Sequence, residues 1–241
     1  IAARLEKLKN QDSEKPKINL ENYSPIRKEL IKFAKNLEPI AEKILSDKVK
    51  NSYKAKLIKA GKYDITVEVF TSFRVLTAIL APIIFAFGGI FALEMSLEDT
   101  LMYSPVVGIA GYILPLARLN RQVEDRHRAI FRNLPDMLDL LTISLESGMG
   151  INEALYKVVE KSNQSPLTEE VDRTLKEIQL GKPRLQSLRD MAKRIDLREL
   201  SSVIISIVQA EQMGTGLAKT LKIQSEVIRD IRWQKAQEMA Q

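Results

Sequence analysis

Apolar residues recur at steps of three and four through most of the second half of the chain. Leu134, Met137, Leu138, Leu141 and Leu145 form one such series, and a helical period of roughly 3.6 residues brings these positions to a single stripe. Glu146-Ser147-Gly148 ends the stripe. Gly148 can take the left-handed conformation that closes a helix, and Gly150 can cap the next one, with Glu153 near the positive end of its dipole. Two helices joined this tightly fold back on each other. Taken alone, the pattern is that of a helical hairpin in a soluble bundle. More helices follow. Ser165-Pro166 opens one with Leu167, Val171, Leu175 and Ile178 on its inner face and Gly181 at its end. Pro183 to Ile195 comes next, carrying Leu185, Leu188 and Met191 inward. Asp196 and Glu199 form a capping-box-like pair that opens Leu197 to Met213, where Val203 to Val208 is apolar nearly all round and is expected to be the most buried stretch. Gly214 stops this helix, Thr215 caps the last, and no alternating strand pattern appears in this half.

The first half reads differently. Residues 10 to 24 are polar and predict a loop. Ser24-Pro25 then starts a helix to about Leu45, and a second lysine-rich helix runs from about Asp47 to Ala60, stopped by Gly61. Val75 to Leu93 is an uncharged run of roughly 28 Å as a helix, enough to cross a hydrocarbon core. Leu101 to Leu116 is also uncharged but shorter, about 24 Å, the length of a buried core helix or a short span. Its position favours a span, because the basic flanks then stay on one side: Lys54, Lys56, Lys59, Lys62 and Arg74 before, and Arg118, Arg121, Arg126, Arg128 and Arg132 after. A membrane hairpin follows, with the acidic loop 94–100 facing outward. After it a basic helix, about 117–132, leads to Pro135, which marks a kink or a new start. The expected organisation is all-α: an N-terminal cytoplasmic helical segment over 1–69, a transmembrane hairpin over 70–116, and a cytoplasmic antiparallel bundle of about six helices over 117–241.

Charge supports this division. The net charge of +6 resolves into +6 before residue 70, −2 across the hairpin and +2 after it, a membrane pattern before a nucleic-acid one. The basic residues have no interleaved aromatics to stack bases, so nucleic acid is the weakest partner. The run from Arg118 to Arg132 suits anionic lipid or an acidic protein surface, although retention on one side of a membrane already accounts for it. There is no Cys and one His, which removes disulfides and thiolate chemistry and leaves little for a metal site. His127, on a basic helix after two spans, sits where a sensor kinase carries its phosphorylated histidine, but no glycine-rich nucleotide loop accompanies it. The pair Asp136 and Asp139 and the cluster Glu169, Glu170 and Asp172 are accounted for by helix-start electrostatics. Neither implies general acid-base catalysis without a pocket that splits two environments. No catalytic residue, metal or cofactor is expected. Gln209 and Glu211 extend an apolar helix directly before Gly214-Thr215-Gly216, and a carboxylate there must reach the surface or find a basic partner in a neighbouring helix.

The pieces Leu134-Pro135-Asp136-x-Leu138-Asp139-Leu140-Leu141, Ser147-Gly148-x-Gly150-x-x-Glu153-Ala154-Leu155, Gly181-Lys182-Pro183-x-Leu185-x-x-Leu188 and Gln209-Ala210-Glu211-x-x-Gly214-Thr215-Gly216-Leu217-Ala218 occur in this order. Together they resemble the F-domain family of type II secretion and type IV pilus inner-membrane platform proteins. Leu57-Ile58-Lys59-Ala60-Gly61 is similar to the tight-adherence (Tad, Flp) pilus branch, and the C-terminal half to its TadC-type member. The resemblance implies a multi-pass protein of a bacterial or archaeal cytoplasmic membrane, without catalytic chemistry. Its implied partners are a hexameric secretion ATPase, a TadB-like paralogous platform protein, pilin subunits and membrane lipid, in a homo- or hetero-oligomer. Pro135, Asp136, Glu146, Gly148, Gln209, Glu211, Gly214 and Gly216 are the implied partner contacts. Members of this branch carry a further span at each end, so Ile1 and the absence of such spans here predict that both lie outside this sequence. The rival readings are a two-span membrane sensor with a helical signalling domain, working through His127 or dimerisation, and a membrane enzyme using the acidic pairs.

Overall fold

In the computed structural model, residues 46–92, 94–213 and 216–238 are described. The expected loop 10–24, the helix Ser24 to Leu45 and the Gly214-Thr215 turn lie outside them. The described residues form helices and no strand: α1 (Asp47–Lys59), α2 (Val67–Ala92), α3 (Leu97–Glu146), α4 (Ile151–Lys161), α5 (Pro166–Gln179), α6 (Arg184–Ile195), α7 (Arg198–Met213) and α8 (Leu217–Glu238). The chain divides into two compact units at Gln122/Val123, and α3 contributes to both.

In the first unit, α1 ends in a left-handed glycine. Gly61 has φ 72, its N–H reaches Ile58 O and the Lys62 N–H reaches Leu57 O, so the last carbonyls of α1 are satisfied without a further turn of helix. Helices α2 and α3 are each long and apolar enough to cross a membrane, and only 11 % of the most apolar window of each is buried. A core helix of a soluble bundle would be mostly buried. Here Ile83, Ile84, Phe87, Phe91, Val106, Ile109 and Leu114 instead stand more than half exposed, which suits lipid and not water. The expected acidic loop 94–100 is largely helix. Ser96 Oγ accepts from the Asp99 N–H and donates to Asp99 Oδ2, a capping pair that starts α3 at Leu97, so that of residues 94–100 Glu94, Met95 and Ser96 lie before the helix.

The α2–α3 pairing is set by proline and glycine. Pro115 has no N–H to offer the Gly111 carbonyl one turn earlier, and Thr77 Oγ of α2 donates to that carbonyl instead at 2.8 Å. Arg74 Nε donates to the next carbonyl, Tyr112 O, at 3.1 Å. Arg74 is 3 % exposed, so it is not the free membrane-flanking cation that its sequence position implies. Its guanidinium lies 4.0 Å from the Tyr112 ring centroid and 5.1 Å from that of Tyr53 in α1, and it also donates to the Tyr53 hydroxyl.

Three expected helices, 101–116, 117–132 and the stripe from Leu134, are one helix of 50 residues. Pro135 neither starts nor ends it. Its ring fits helical φ, and it removes the hydrogen bond to Phe131 O without ending the helix. Beyond Val123, α3 packs its stripe into the second unit's core, where Ile130, Leu134, Met137, Leu138 and Leu141 are at most 4 % exposed and join Leu155, Leu175, Leu188, Leu200, Ile204 and Leu221. Each such side chain removed from water contributes about 1.5–3 kcal/mol. Helices α4 to α8 each pack against the next. Helix α8 runs antiparallel to α3: Asp139 accepts from Ser225 at 2.6 Å and pairs with Arg229, while Lys235 sits 4.5 Å from the Phe131 ring centroid.

Two local expectations are corrected. The helix expected from Leu197 begins one residue later, and Asp196 has a second role at the end of α6. It closes α6 in the left-handed region at φ 53, donating its N–H to Ala192 O, and α7 begins at Arg198. Within α7, Val203, Ile204, Ile207 and Val208 are buried but Ile205 is 56 % exposed, because a two-sided helix at the bundle surface keeps one polar-side position even in an apolar run.

Glu199 of α7 carries a titratable link to α8. Burial pushes its carboxyl up, but the hydrogen bond from Lys235, its own backbone N–H and the charges of Lys235 and Arg198 outweigh this and hold it below its ordinary 4.5. A depressed carboxylate contributes stability that is complete above the ordinary value and is lost as pH falls through the folded one. The thermal midpoint of the chain is therefore expected to fall on acidification below about pH 4.5, and Glu199→Gln to shrink that fall. An unchanged acid limb in the variant would exclude the Lys235 pair as its source.

Candidate functional site

The sequence motifs end in turns, and the second unit gathers these turns at one end. Gly148 has φ 88, its N–H reaches Leu145 O at 3.0 Å, and the Met149 N–H reaches Ser144 O at 3.1 Å. Gly181 repeats this at φ 94, with its own N–H on Ile178 O and that of Lys182 on Glu177 O. Both residues thus close a helix by the same paired bonds, which require a backbone that a Cβ disfavours. Because consecutive helices fold back, the α3–α4, α5–α6 and α7–α8 connections share one end of the bundle.

Arg184 holds that end together. At the start of α6, its Nη1 lies 3.4 Å from Asn152 Oδ1 in the first turn of α4, and its Nη2 pairs with Glu211 in the last turn of α7. Glu211 is thus neither a free surface charge nor an unpaired buried one. The buried atoms Arg184 Nε and Glu211 Oε2 have no partner, and they are the two atoms that would complete a fork-to-fork pairing of the same side chains. Lys182 reinforces the α5–α6 turn through Asp190 at 2.9 Å and Glu177 at 2.6 Å. Its pKa is raised by these two, Asp190 first. Around this framework Glu146, Gly148, Gln209 and Gly216 are exposed, and so are Leu180 at 89 % and Met213 at 76 %. Two apolar side chains that protrude this far at the rim of a charged turn cluster are suited to contact with another macromolecule. Gly214 lies outside the described residues.

The other two predicted contacts lie elsewhere. Pro135 is buried, so of that pair Asp136 is the residue a partner can reach. Asp136 lines a cavity of about 270 Å³ with Asn133, Met137, Lys161, Ser162 and Thr168, beside the α4–α5 connection. There Ser165 and Thr168 form a reciprocal capping box. The expected site residues therefore occupy two places on the bundle, with Glu146, Gly148, Gln209, Glu211 and Gly216 at the glycine-turn end and Asp136 apart from them.

The basic run also divides. Arg118, Arg121 and Arg132 are exposed, and Arg128 is exposed with Asp125 at 2.7 Å. Arg126 is spent inside the bundle, donating to Glu170 at 3.0 Å and to Glu169 at 3.4 Å. Glu170, 2 % exposed, also lies 3.4 Å from Arg194, so helix-start electrostatics accounts for Glu169 and not for its neighbour. His127 is half-buried, with Nε2 2.7 Å from Ile195 O. A carbonyl only accepts, so Nε2 carries the proton and points into the end of α6. A phosphoryl-accepting histidine needs a free nitrogen presented to a donor, and this one of its two is occupied. Asp139, bound by Ser225 and Arg229, does not share an environment with Asp136.

Residues 137–241 match the family model described as Type II secretion system (T2SS), protein F. No curated protein and no solved structure matches the chain. The matched segment begins in the buried stripe of α3 and takes in all three connections of the glycine-turn end.

Proposed function

We propose that this chain is a platform protein of a cytoplasmic membrane, serving a Tad or type IV-like pilus or a type II-like secretion machine. The observation that carries the reading is the protein F match over 137–241 directly following two membrane-length helices. In this reading α2 and α3 form a hairpin whose basic flanks stay in the cytoplasm, and the bundle after it is cytoplasmic. The machine's chemistry belongs to a hexameric ATPase, and this chain couples it by contact to pilin subunits and to a second, TadB-like platform protein. The glycine-turn end supplies a rigid face for that coupling, since Arg184 locks three helix ends into one body and leaves Glu146, Leu180, Gln209 and Met213 outside it.

The test is retention of the detergent-solubilised full chain by a hexameric secretion ATPase of the same organism. The parent is expected to be retained at moderate salt. Glu146→Lys with Gln209→Lys, at two exposed positions, is expected to weaken retention about tenfold, or about 1.4 kcal/mol of binding. No retention of a folded parent would sink the ATPase coupling, and undiminished retention of the variant would move the contact away from this end.

A further inference from the structure

Helix α1 is held against the membrane pair at two points. Leu57 packs with Val67 of α2 and Leu119 of α3 in a small buried cluster, with Tyr53, Ala60 and Phe70 around it. Tyr53 is also latched through its hydroxyl to Arg74, whose guanidinium binds the α3 carbonyl of Tyr112. The helix is thereby placed beside the two spans at the level where their apolar exposure gives way to charge. Lys48 and Lys54 of α1 are exposed, Lys50 is half-exposed, and none has an ion pair among the described residues. Leu119 lies between Arg118 and Arg121 in sequence, both exposed and without an ion pair among the described residues. Asp47 and Asp64 offset part of this charge, and the balance stays basic.

We propose that α1 and the adjoining turn of α3 form a binding surface for the headgroups of anionic glycerophospholipids, with Lys50, Lys54, Arg118 and Arg121 as the phosphate donors. The inference rests on the membrane reading of α2 and α3. Lys and Arg are the donors suited to a phosphodiester, and their long apolar stems let a charged head reach the headgroup layer from a helix lying at its edge. A protein or nucleic acid of opposite charge would have to approach the same groups through the bilayer surface. The lipid is already there. The Arg74–Tyr53 latch gives the site its form, because it fixes the angle at which α1 meets the hairpin, and α1 contributes little apolar area of its own beyond Leu57.

The full chain is to be placed in nanodiscs of phosphatidylcholine alone and of phosphatidylcholine with phosphatidylglycerol, and amide hydrogen exchange read over Lys48 to Lys59. Exchange is expected to slow about fivefold in the anionic bilayer, the factor that a single basic group gains near such a surface. High salt is expected to abolish the difference, and so is the variant Lys50→Gln/Lys54→Gln/Arg118→Gln/Arg121→Gln, while exchange in α7 stays unchanged. Equal rates in the two bilayers, protection that survives in the variant, or the same protection from inorganic phosphate in the zwitterionic bilayer would each overturn the proposal. A chain that enters neither bilayer would overturn the membrane reading with it, whereas entry into both with equal rates would overturn the lipid site alone.

Discussion

Glu170→Ala is expected to destabilise the bundle by about 3–5 kcal/mol, the cost of leaving buried charges without their counterion. Glu170 is 2 % exposed and lies between Arg126 of α3 and Arg194 of α6, whose side chains are only 14 % and 16 % exposed. Removing the carboxylate leaves two guanidinium groups facing each other in a site with little water. Arg194 keeps Glu177 at 2.7 Å and Arg126 keeps the more exposed Glu169 at 3.4 Å, which sets the loss at the lower end of that range. Glu169, its neighbour in sequence, is 66 % exposed, so Glu169→Ala is expected to cost no more than about 1 kcal/mol. Urea unfolding of the full chain in detergent, followed by far-ultraviolet circular dichroism, separates the two. Replacing the whole group, with Arg126→Met, Glu170→Leu and Arg194→Met together, should recover most of the lost stability, since apolar packing competes well with a buried ion pair. Equal effects of the Glu169 and Glu170 substitutions would mean that the burial of Glu170 contributes nothing.

Glu170 also shows where sequence reading stops. It stands three residues after Leu167 and four before Thr174, on the inner face of α5, so its place on the apolar stripe was visible; its two arginine partners, far away in the chain, were not. Local chemistry was legible throughout. Gly61, Gly148 and Gly181 end their helices as their sequence positions predict, and Ser165-Pro166 opens α5, because capping and left-handed closure are decided within a few residues. Where two local solutions compete, the prediction fails. Asp196 offers a side-chain cap to the helix after it, but the left-handed backbone by which it closes the helix before it is not visible in that pattern. Pro135 can interrupt a helix or ride in one, and the continuous burial of Leu134, Met137 and Leu138 on both sides of it favours continuity.

The candidate site divides along the same line. Its glycines and the exposed Gln209 come from the motifs themselves, and Glu146 directly precedes one of them. The interlock does not, because Arg184 stands at the unspecified position of its motif and gains its meaning only from Asn152 and Glu211. A basic residue in the first turn of a helix is disfavoured by the dipole, and Glu211 needed a partner. Those two local misfits are the signals that together point to an Arg184–Glu211 pair.

The second large effect is expected in the α2–α3 pair, read as the membrane hairpin of the proposed function. A Cβ on Gly111 would stand 2.7 Å from the backbone oxygen of Thr77 and 3.0 Å from Ala81 Cβ, distances at which α2 must move because the nearest atom is main chain. Movement there separates Thr77 Oγ from Gly111 O and Arg74 Nε from Tyr112 O, and a carbonyl freed by Pro115 would then face lipid without a donor. Gly111→Val is therefore expected to cost about 1–3 kcal/mol from overpacking and roughly 0.6–1.7 kcal/mol more from the lost interhelical hydrogen bond. Gly88 supplies the control, since a Cβ there meets nothing within 4 Å. Gly88→Val is expected to leave the pair intact. The chain has no cysteine of its own, so Ala78→Cys with Gly108→Cys gives a cross-link that reads helix proximity directly. It should form in the parent and in Gly88→Val and be largely lost in Gly111→Val. A cross-link of equal yield in all three would show that α2 and α3 do not depend on the close approach at Gly111, and that the carbonyls of Gly111 and Tyr112 find their donors some other way.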